Sequence, residues 1–145
     1  MPVIPMWIHF VAMFGVAAIA IGCGGREARL AAGGYLMTNL ALFGFGAGEP
    51  SSPVELEVGV YALEAAGFSA LALWRRRAWL AAPCAVAWCE LTSAVLHGPL
   101  RLDAWTYGTV QLGWFYLIWT SIAAASLAAW RRRSTAAPAA LDPSS

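Results

Sequence analysis

Apolar residues run along this chain in five blocks, separated by short stretches rich in Gly, Pro, Ser and Arg. Val3 to Gly22 is the first block, about 20 residues, which matches the ~30 Å of hydrocarbon that a helix rising ~1.5 Å per residue must cross. Leu30 to Ala47 is a weaker second run, rich in Gly and interrupted by Thr38 and Asn39. The third, residues 54–74, carries three carboxylates, Glu55, Glu57 and Glu64, and the rest of the chain is arranged around it. Residues 78–97 and 105–130 complete the set. The pattern predicts an all-α integral membrane bundle of five transmembrane helices in one domain, residues 1–133, with residues 134–145 a disordered tail.

The connecting stretches predict the joints. Gly24 to Arg29 reads as a polar turn, and Gly48 to Pro53 as a loop whose prolines stop one helix and start the next. Ser52 is the expected N-cap of the third helix, with Pro53 in its first turn and Glu55 three residues on. Arg75, Arg76 and Arg77 leave so short a loop that spans three and four must form an antiparallel hairpin. Pro83 should bend span four near its start, and Gly98 to Asp103 should turn the chain into span five. Ala62, Ala66 and Ala70, with Gly59 and Gly67 nearby, have the spacing that lets helix backbones approach closely in lipid. Gly44, Gly46 and Gly48 lack that spacing and should loosen the outer end of span two.

The arginines decide between four and five spans. Five spans put Arg26, Arg29, Arg75 to Arg77 and Arg131 to Arg133 on one side, eight against the single Arg101. Removing the second span leaves six against three. The positive-inside rule therefore predicts five spans, with the amino terminus outside and the carboxyl terminus in the cytoplasm of a bacterial inner membrane. Trp74, Trp79 and Trp130 then flank the inner arginines, while Trp7, Trp105 and Tyr107 sit at the opposite ends, where aromatic belts belong.

Composition narrows the class further. Of 145 residues, 60% are hydrophobic and only 12% charged, about half the charged fraction of a soluble domain. No basic patch interleaved with aromatics suggests nucleic-acid binding. Cys84 and Cys89, five apart on one helix, point ~140° away from each other, so the cysteines read as packing residues. Cys23 after Ala20-Ile21-Gly22 resembles a lipoprotein cleavage site, but no positive side chain precedes it, and a retained span is the better reading.

Candidate chemistry lies in the polar residues of the spans. Counted from the outer ends at ~1.5 Å per residue, His9 lies ~9 Å deep, Asn39 ~12 Å, Glu64 ~15 Å, Glu90 ~10 Å and Gln111 ~9 Å. Each span thus offers one strongly polar side chain to a common layer in the outer half of the membrane. Glu57 and Glu64 are seven residues apart and share a face, as do Glu90 and His97. A charged acid at the bilayer centre costs about 2.5–3.5 kcal/mol on insertion scales, so Glu64 and Glu90 must be protonated, paired or hydrated. They read either as a proton- or ligand-binding centre or as neutral acids that hydrogen-bond the bundle together. Glu57 is either a solvated interface residue or part of the outer approach, and His97 a headgroup neighbour or a ligand. His9 allows both readings. Glu55 is a helix-start carboxylate favoured by the dipole. No dense carboxylate/His motif or Cys pair predicts a metal site, and the unequal depths of His9 and His97 argue against bis-histidine haem, so no cofactor is expected.

Ser52-Pro53-Val54-Glu55-Leu56-Glu57-Val58-Gly59 resembles a motif in a family of small, uncharacterised bacterial membrane proteins, Ser-Pro-Phe-Gln-x-Glu-Val-Gly at the opening of a central span. Ser52, Pro53, Glu57, Val58 and Gly59 match, His97 could stand for that family's Gly-His histidine, and the arginine loop at Arg75 agrees, so the resemblance covers about residues 30–125. Val54, Glu55, Ala62 and Leu96 depart from it, and Gln111 stands where an acid is usual. The resemblance implies a multi-span membrane protein and no particular reaction. Together these readings predict a non-enzymatic membrane protein, with a membrane redox role the least supported. It would carry out proton-coupled transport or binding of a small polar molecule or cation at Glu64 and Glu90. Glu57, His97, Asn39, Gln111 and His9 are the surrounding candidates, and the expected partners are the lipid bilayer and a second copy or a membrane complex. The competing expectation is a structural or accessory subunit with no chemistry of its own.

Overall fold

In a computed structural model of the chain, residues 6–44 and 54–136 are described. Five helices account for nearly all of them: α1 (Met6–Cys23), α2 (Arg26–Gly44), α3 (Val54–Arg75), α4 (Ala81–Leu100) and α5 (Ala104–Ala136). Each packs against the next in the chain, α5 closes the ring against α1, and α2 and α5 also meet across its centre. Among the described residues three segments are long and apolar enough to cross a membrane: α3 with 22 residues, Ala78–Leu100 with 23 and α5 with 33. Residues Trp7–Cys23 form a shorter apolar helix. The residues expected to form the 48–53 loop and the Ser52 cap lie outside the described residues, as do Gly46 and the tail beyond Ala136.

The bundle wears its apolar side chains outward. Leu63 is 68% and Leu73 78% exposed, and Trp7, Trp74, Trp105 and Trp130 are also on the perimeter, while Glu64 and Glu90 are buried. Water would penalise both halves of that arrangement, and lipid favours it. Helices are the solution such a solvent demands, because each satisfies its own backbone N–H and C=O groups. The core beneath is small and aromatic. Tyr35 of α2 lies with its ring centroid 5.1 Å from Trp119, 6.0 Å from Phe68 and 6.2 Å from Phe115, and Ala17, Ala32, Ala65 and Ala87 let the helices close around these rings.

Several joints differ from the sequence reading. The turn at 24–29 shrinks to Gly24 and Gly25, since α2 starts at Arg26. Only glycine fits at position 24, where an added Cβ would meet the Ala20 carbonyl oxygen at 2.3 Å. Glu27, in the first turn of α2, accepts Arg75 Nη2 at 2.8 Å and Nε at 3.2 Å. Bonding to its own backbone N–H, then the Arg75 contact, holds its carboxyl below the usual range. Pro83 lies in the first turn of α4 after a 3₁₀ turn at Ala78–Leu80, a position where a missing N–H leaves little unsatisfied. Span four also runs further than expected. It carries Pro99 in its last turn and ends at Leu100, where Arg101 adopts φ 49°. There Arg101 N–H bonds to the Gly98 carbonyl and Leu102 N–H to that of His97, the paired closure of a Schellman motif. Asp103 caps α5, accepting Trp105 N–H at 3.1 Å and Thr106 N–H at 3.0 Å. The Thr106 hydroxyl, then those backbone bonds, hold its carboxyl low. Residues 134–136, expected in the tail, continue α5.

One packing expectation is corrected. Gly59, Ala62, Ala66, Gly67 and Ala70 are exposed, and α3 turns Glu64, Ala65 and Phe68 inward instead. A helix has one inward face, and burying Glu64 puts the small residues two positions away on the opposite side.

Candidate functional site

Register along α2 and α3 brings the first polar contact. Thr38 lies eleven residues after Glu27, and Glu64 eleven before Arg75. The ion pair at one end and a Thr38 hydroxyl bond to Glu64 Oε1 at 3.3 Å further along therefore report one antiparallel alignment. On α4 the buried positions Pro83, Ala87, Glu90 and Ala94 follow helical spacing, so the face that packs on α3 is the face that carries Glu90. The two carboxyl groups lie close enough there to interact with each other, with Glu64 5% and Glu90 3% exposed.

Around this pair the candidates separate into three groups. Gln111 of α5 reaches the Glu90 backbone carbonyl at 3.5 Å, not its carboxyl, and also the Tyr107 hydroxyl one turn earlier. Toward the end of the bundle where α3 begins and α4 stops, Tyr107 donates to Glu57 Oε2 at 3.2 Å and stacks on His97 with centroids 4.1 Å apart. Glu57 and His97, each seven residues from the pair, thus form a second layer ~10 Å away along the helices. His97 turns toward Tyr107 rather than away from the bundle. Asn39 is buried, but its amide bonds back to the Tyr35 carbonyl at 2.8 Å, and its neighbour Thr38 makes the contact to Glu64. His9 stands apart on the α1–α5 side, its Nδ1 2.7 Å from the Tyr116 hydroxyl. The single layer of five expected from depth therefore resolves into the Glu64–Glu90 pair, Gln111 between that pair and the shallower Glu57–Tyr107–His97 triad, Asn39 bonded back to its own helix, and His9 apart.

Sequence reasoning passed over four residues here. Tyr35, Tyr61, Thr38 and Tyr107 all approach the carboxylates, and the spacing Glu57, Tyr61, Glu64 on one helix face was a signal for one of them. Ser69 is a further polar junction between α3 and α4, accepting Trp88 Nε1 at 3.0 Å with Cys84 Sγ at 3.4 Å. All three cysteines are free thiols.

The charge pattern is polarised. Both ion pairs among the described residues belong to Glu27, at the end where Arg133 also donates to the Cys23 carbonyl. None of them reaches Glu64 or Glu90. No group of three or more His, Cys, Asp and Glu converges as a metal site among the described residues. A hollow of about 430 Å³ lies on α5 near its C-terminal end, lined by Ala124, Leu127, Ala128, Arg131 and Arg132, away from the carboxyl pair.

Fold and site together define the class, a helical membrane-type bundle with buried carboxyl groups. No family model matches the chain, and neither the characterised proteins nor the solved structures compared with it give a match.

Proposed function

We propose that this protein threads all five helices through a bacterial inner membrane, amino terminus outside. In this reading Glu64 and Glu90 form a protonatable centre for proton-coupled transport or binding of a cation or small polar molecule. Arginines gathered at one end of α2, α3 and α5 support that orientation, as does the outward-facing apolar perimeter. The observation that carries the functional reading is the contact of two buried carboxyl groups with no guanidinium among their partners. Two such groups cannot both ionise in an apolar interior, so the pair holds a proton that a change of environment can release. Glu57, Tyr107 and His97 line the outer approach, and Gln111 links it to the pair. Membership of the Ser-Pro-Phe-Gln-x-Glu-Val-Gly family and assembly into a homo-oligomer, which the small size favours, belong to the same proposal.

Infrared spectroscopy of the protein in lipid tests it. Protonated carboxyl groups absorb apart from carboxylates, and a buried band that titrates with pH and disappears in Glu64→Gln is the expected result. If the band is insensitive to pH and Glu64→Gln leaves an in-cell phenotype intact, the accessory-subunit reading takes its place. The Thr38–Glu64 bond between α2 and α3 and the Gln111–Glu90 bond between α5 and α4 tie helices together and favour that second reading.

A further inference from the structure

The donor atoms around the carboxyl pair narrow what it can bind. Glu64 Oε2, Glu90 Oε2, Gln111 Oε1 and the Tyr35 hydroxyl are buried and make no hydrogen bond. Buried polar atoms are nearly always satisfied; with Gln111 on the Glu90 backbone and Tyr35 within electrostatic range of both carboxyls, these unsatisfied oxygens point to a ligand shell. Tyr35 is the independent member. It comes from α2, is 2% exposed, is fixed by the Phe68, Phe115 and Trp119 rings, and its hydroxyl lies within electrostatic range of both Glu90 and Glu64, with the Asn39 side chain beside it.

Chemistry then selects the ion. His97 Nδ1, Trp114 Nε1 and Trp119 Nε1 are also buried without a partner, but an indole N–H can only donate and His97 belongs to the shallower layer, so the groups left to ligate at the pair are oxygens, hard donors that suit s-block cations and not softer metals. Charge selects the valence. An apolar interior favours a neutral site, and two protonated carboxyls are neutral, as are one carboxylate, one carboxyl and one monovalent cation. A divalent ion would be neutral only with both carboxyls ionised, which requires a second deprotonation in an apolar interior, and no third acidic or histidine ligand joins the pair among the described residues.

We propose that Glu64 and Glu90 form an alkali-cation site at which a sodium-sized ion and a proton compete for the same carboxyl oxygens, with Tyr35 and Gln111 completing the oxygen shell. This rests on the reading of the pair as a protonatable centre and names its substrate class. The doubly protonated pair takes up one monovalent cation, one carboxyl O–H bond breaks, and the proton leaves past Gln111 and Tyr107 toward Glu57. Net charge at the site is unchanged. The titratable groups facing the pair are Tyr35 from α2, Tyr61 and Glu57 from α3, His97 from α4 and Tyr107 from α5, while His9 of α1 is turned to Tyr116.

The experiment uses the full chain in detergent micelles in weak buffer. NaCl or choline chloride is added at equal ionic strength while a pH indicator and the infrared carboxyl band are followed. Sodium should release about one proton per chain, as ligand deprotonation requires, with matching loss of the band, and choline should do neither. Glu64→Gln and Glu90→Gln should abolish the release. Tyr35→Phe, which keeps both carboxyls and the ring, should weaken sodium about tenfold, the typical loss with one hydrogen-bonding or ligating hydroxyl. A wild-type band that titrates with pH but ignores sodium, lithium and potassium overturns the cation site and leaves the protonatable centre standing. A band that does not titrate at all removes both. Equal proton release by choline also overturns the cation site, since the response would be ionic strength alone.

Discussion

In the proposed orientation the outer and inner halves of this bundle are built from the same kind of helix and behave as different materials. Toward the outer end the facing side chains are half-buried and polar: Glu57, Tyr61, His97, Tyr107 and Gln111. Toward the inner end they are closed and apolar, with Phe68, Ile118, Trp119 and Ile122 filling the space below Tyr35, and the rim is tied by Glu27–Arg75 and by Arg133 on the Cys23 carbonyl. Glu64 and Glu90 sit at the boundary. The difference suggests a division of labour in which the inner half supplies rigidity and a dry floor, while the outer half supplies hydrogen-bonding groups that water or a cation could use. A buried carboxyl pair needs both, since without the floor it would simply hydrate.

Breaking the floor should have the largest effect. Trp119 is 1% exposed and touches Tyr35 and Phe115, so Trp119→Ala leaves a cavity the neighbouring helices can only partly fill. A loss of about 3 kcal/mol is expected, the low end for such truncations, because packing and not water exclusion drives helix association in lipid. Reversible unfolding in mixed micelles, monitored by tryptophan-independent far-UV circular dichroism, measures it. Removal of the Tyr107 hydroxyl in the outer half, as a control, should cost much less. Equal losses from the two would mean that the halves do not differ as described.

How far this contrast could be read from the sequence depends on the signal each part carries. Apolar runs and arginine positions located the helices to within a few residues, because length and charge are what a bilayer constrains. Seven-residue spacing puts Glu57 with Glu64 and Glu90 with His97 on their helix faces. Rotation was harder: α3 has an acidic face and a small-residue face, both plausible inward surfaces, and only the packed bundle distinguishes them. Depth alone could not separate His9, which lies at a similar level but against Tyr116. The tyrosines were invisible for a different reason, since an aromatic in a membrane helix reads equally as core, belt or hydrogen-bond donor. Helix ends were set by groups the hydropathy pattern does not register, the Asp103 cap and the backbone closure around Arg101.

The inner rim offers a smaller and pH-dependent contrast. Glu27 bonds Arg75 and lies 3.8 Å from Arg77, and its carboxyl is held below the usual value. A depressed carboxyl stabilises the fold above its unfolded value, near 4.5, and the benefit is lost as pH falls through the lower, folded value. Glu27→Gln should therefore cost no more than about 1 kcal/mol near neutral pH, and wild type and variant should converge as the pH drops below that range. Unfolding midpoints across a pH series give the answer, and a gap that persists into strong acid would assign the loss to packing, not charge.

The smallest effect sharpens the comparison at the two hairpin ends. Arg76, after α3 at the inner end, and Arg101, after α4 at the outer end, both adopt left-handed backbone, φ 47° and 49°, where a side chain is strained and glycine is not. Glycine at either position should relieve that strain, offset by its greater freedom in the unfolded chain, for a net gain of about 0.5 kcal/mol. The backbone argument treats the two sites alike, but the membrane argument does not. Arg101→Gly removes a positive charge from the outer side and strengthens the asymmetry that orients the helices, while Arg76→Gly subtracts one from the inner cluster. Similar unfolding shifts with opposite small changes in the fraction of chains inserted in the proposed orientation, read by cysteine accessibility at an introduced outer-loop residue, are expected. Equal orientation in both variants would mean that the remaining inner arginines already saturate the bias, and unequal unfolding shifts would show that one of the two turns depends on its arginine side chain as well as its backbone.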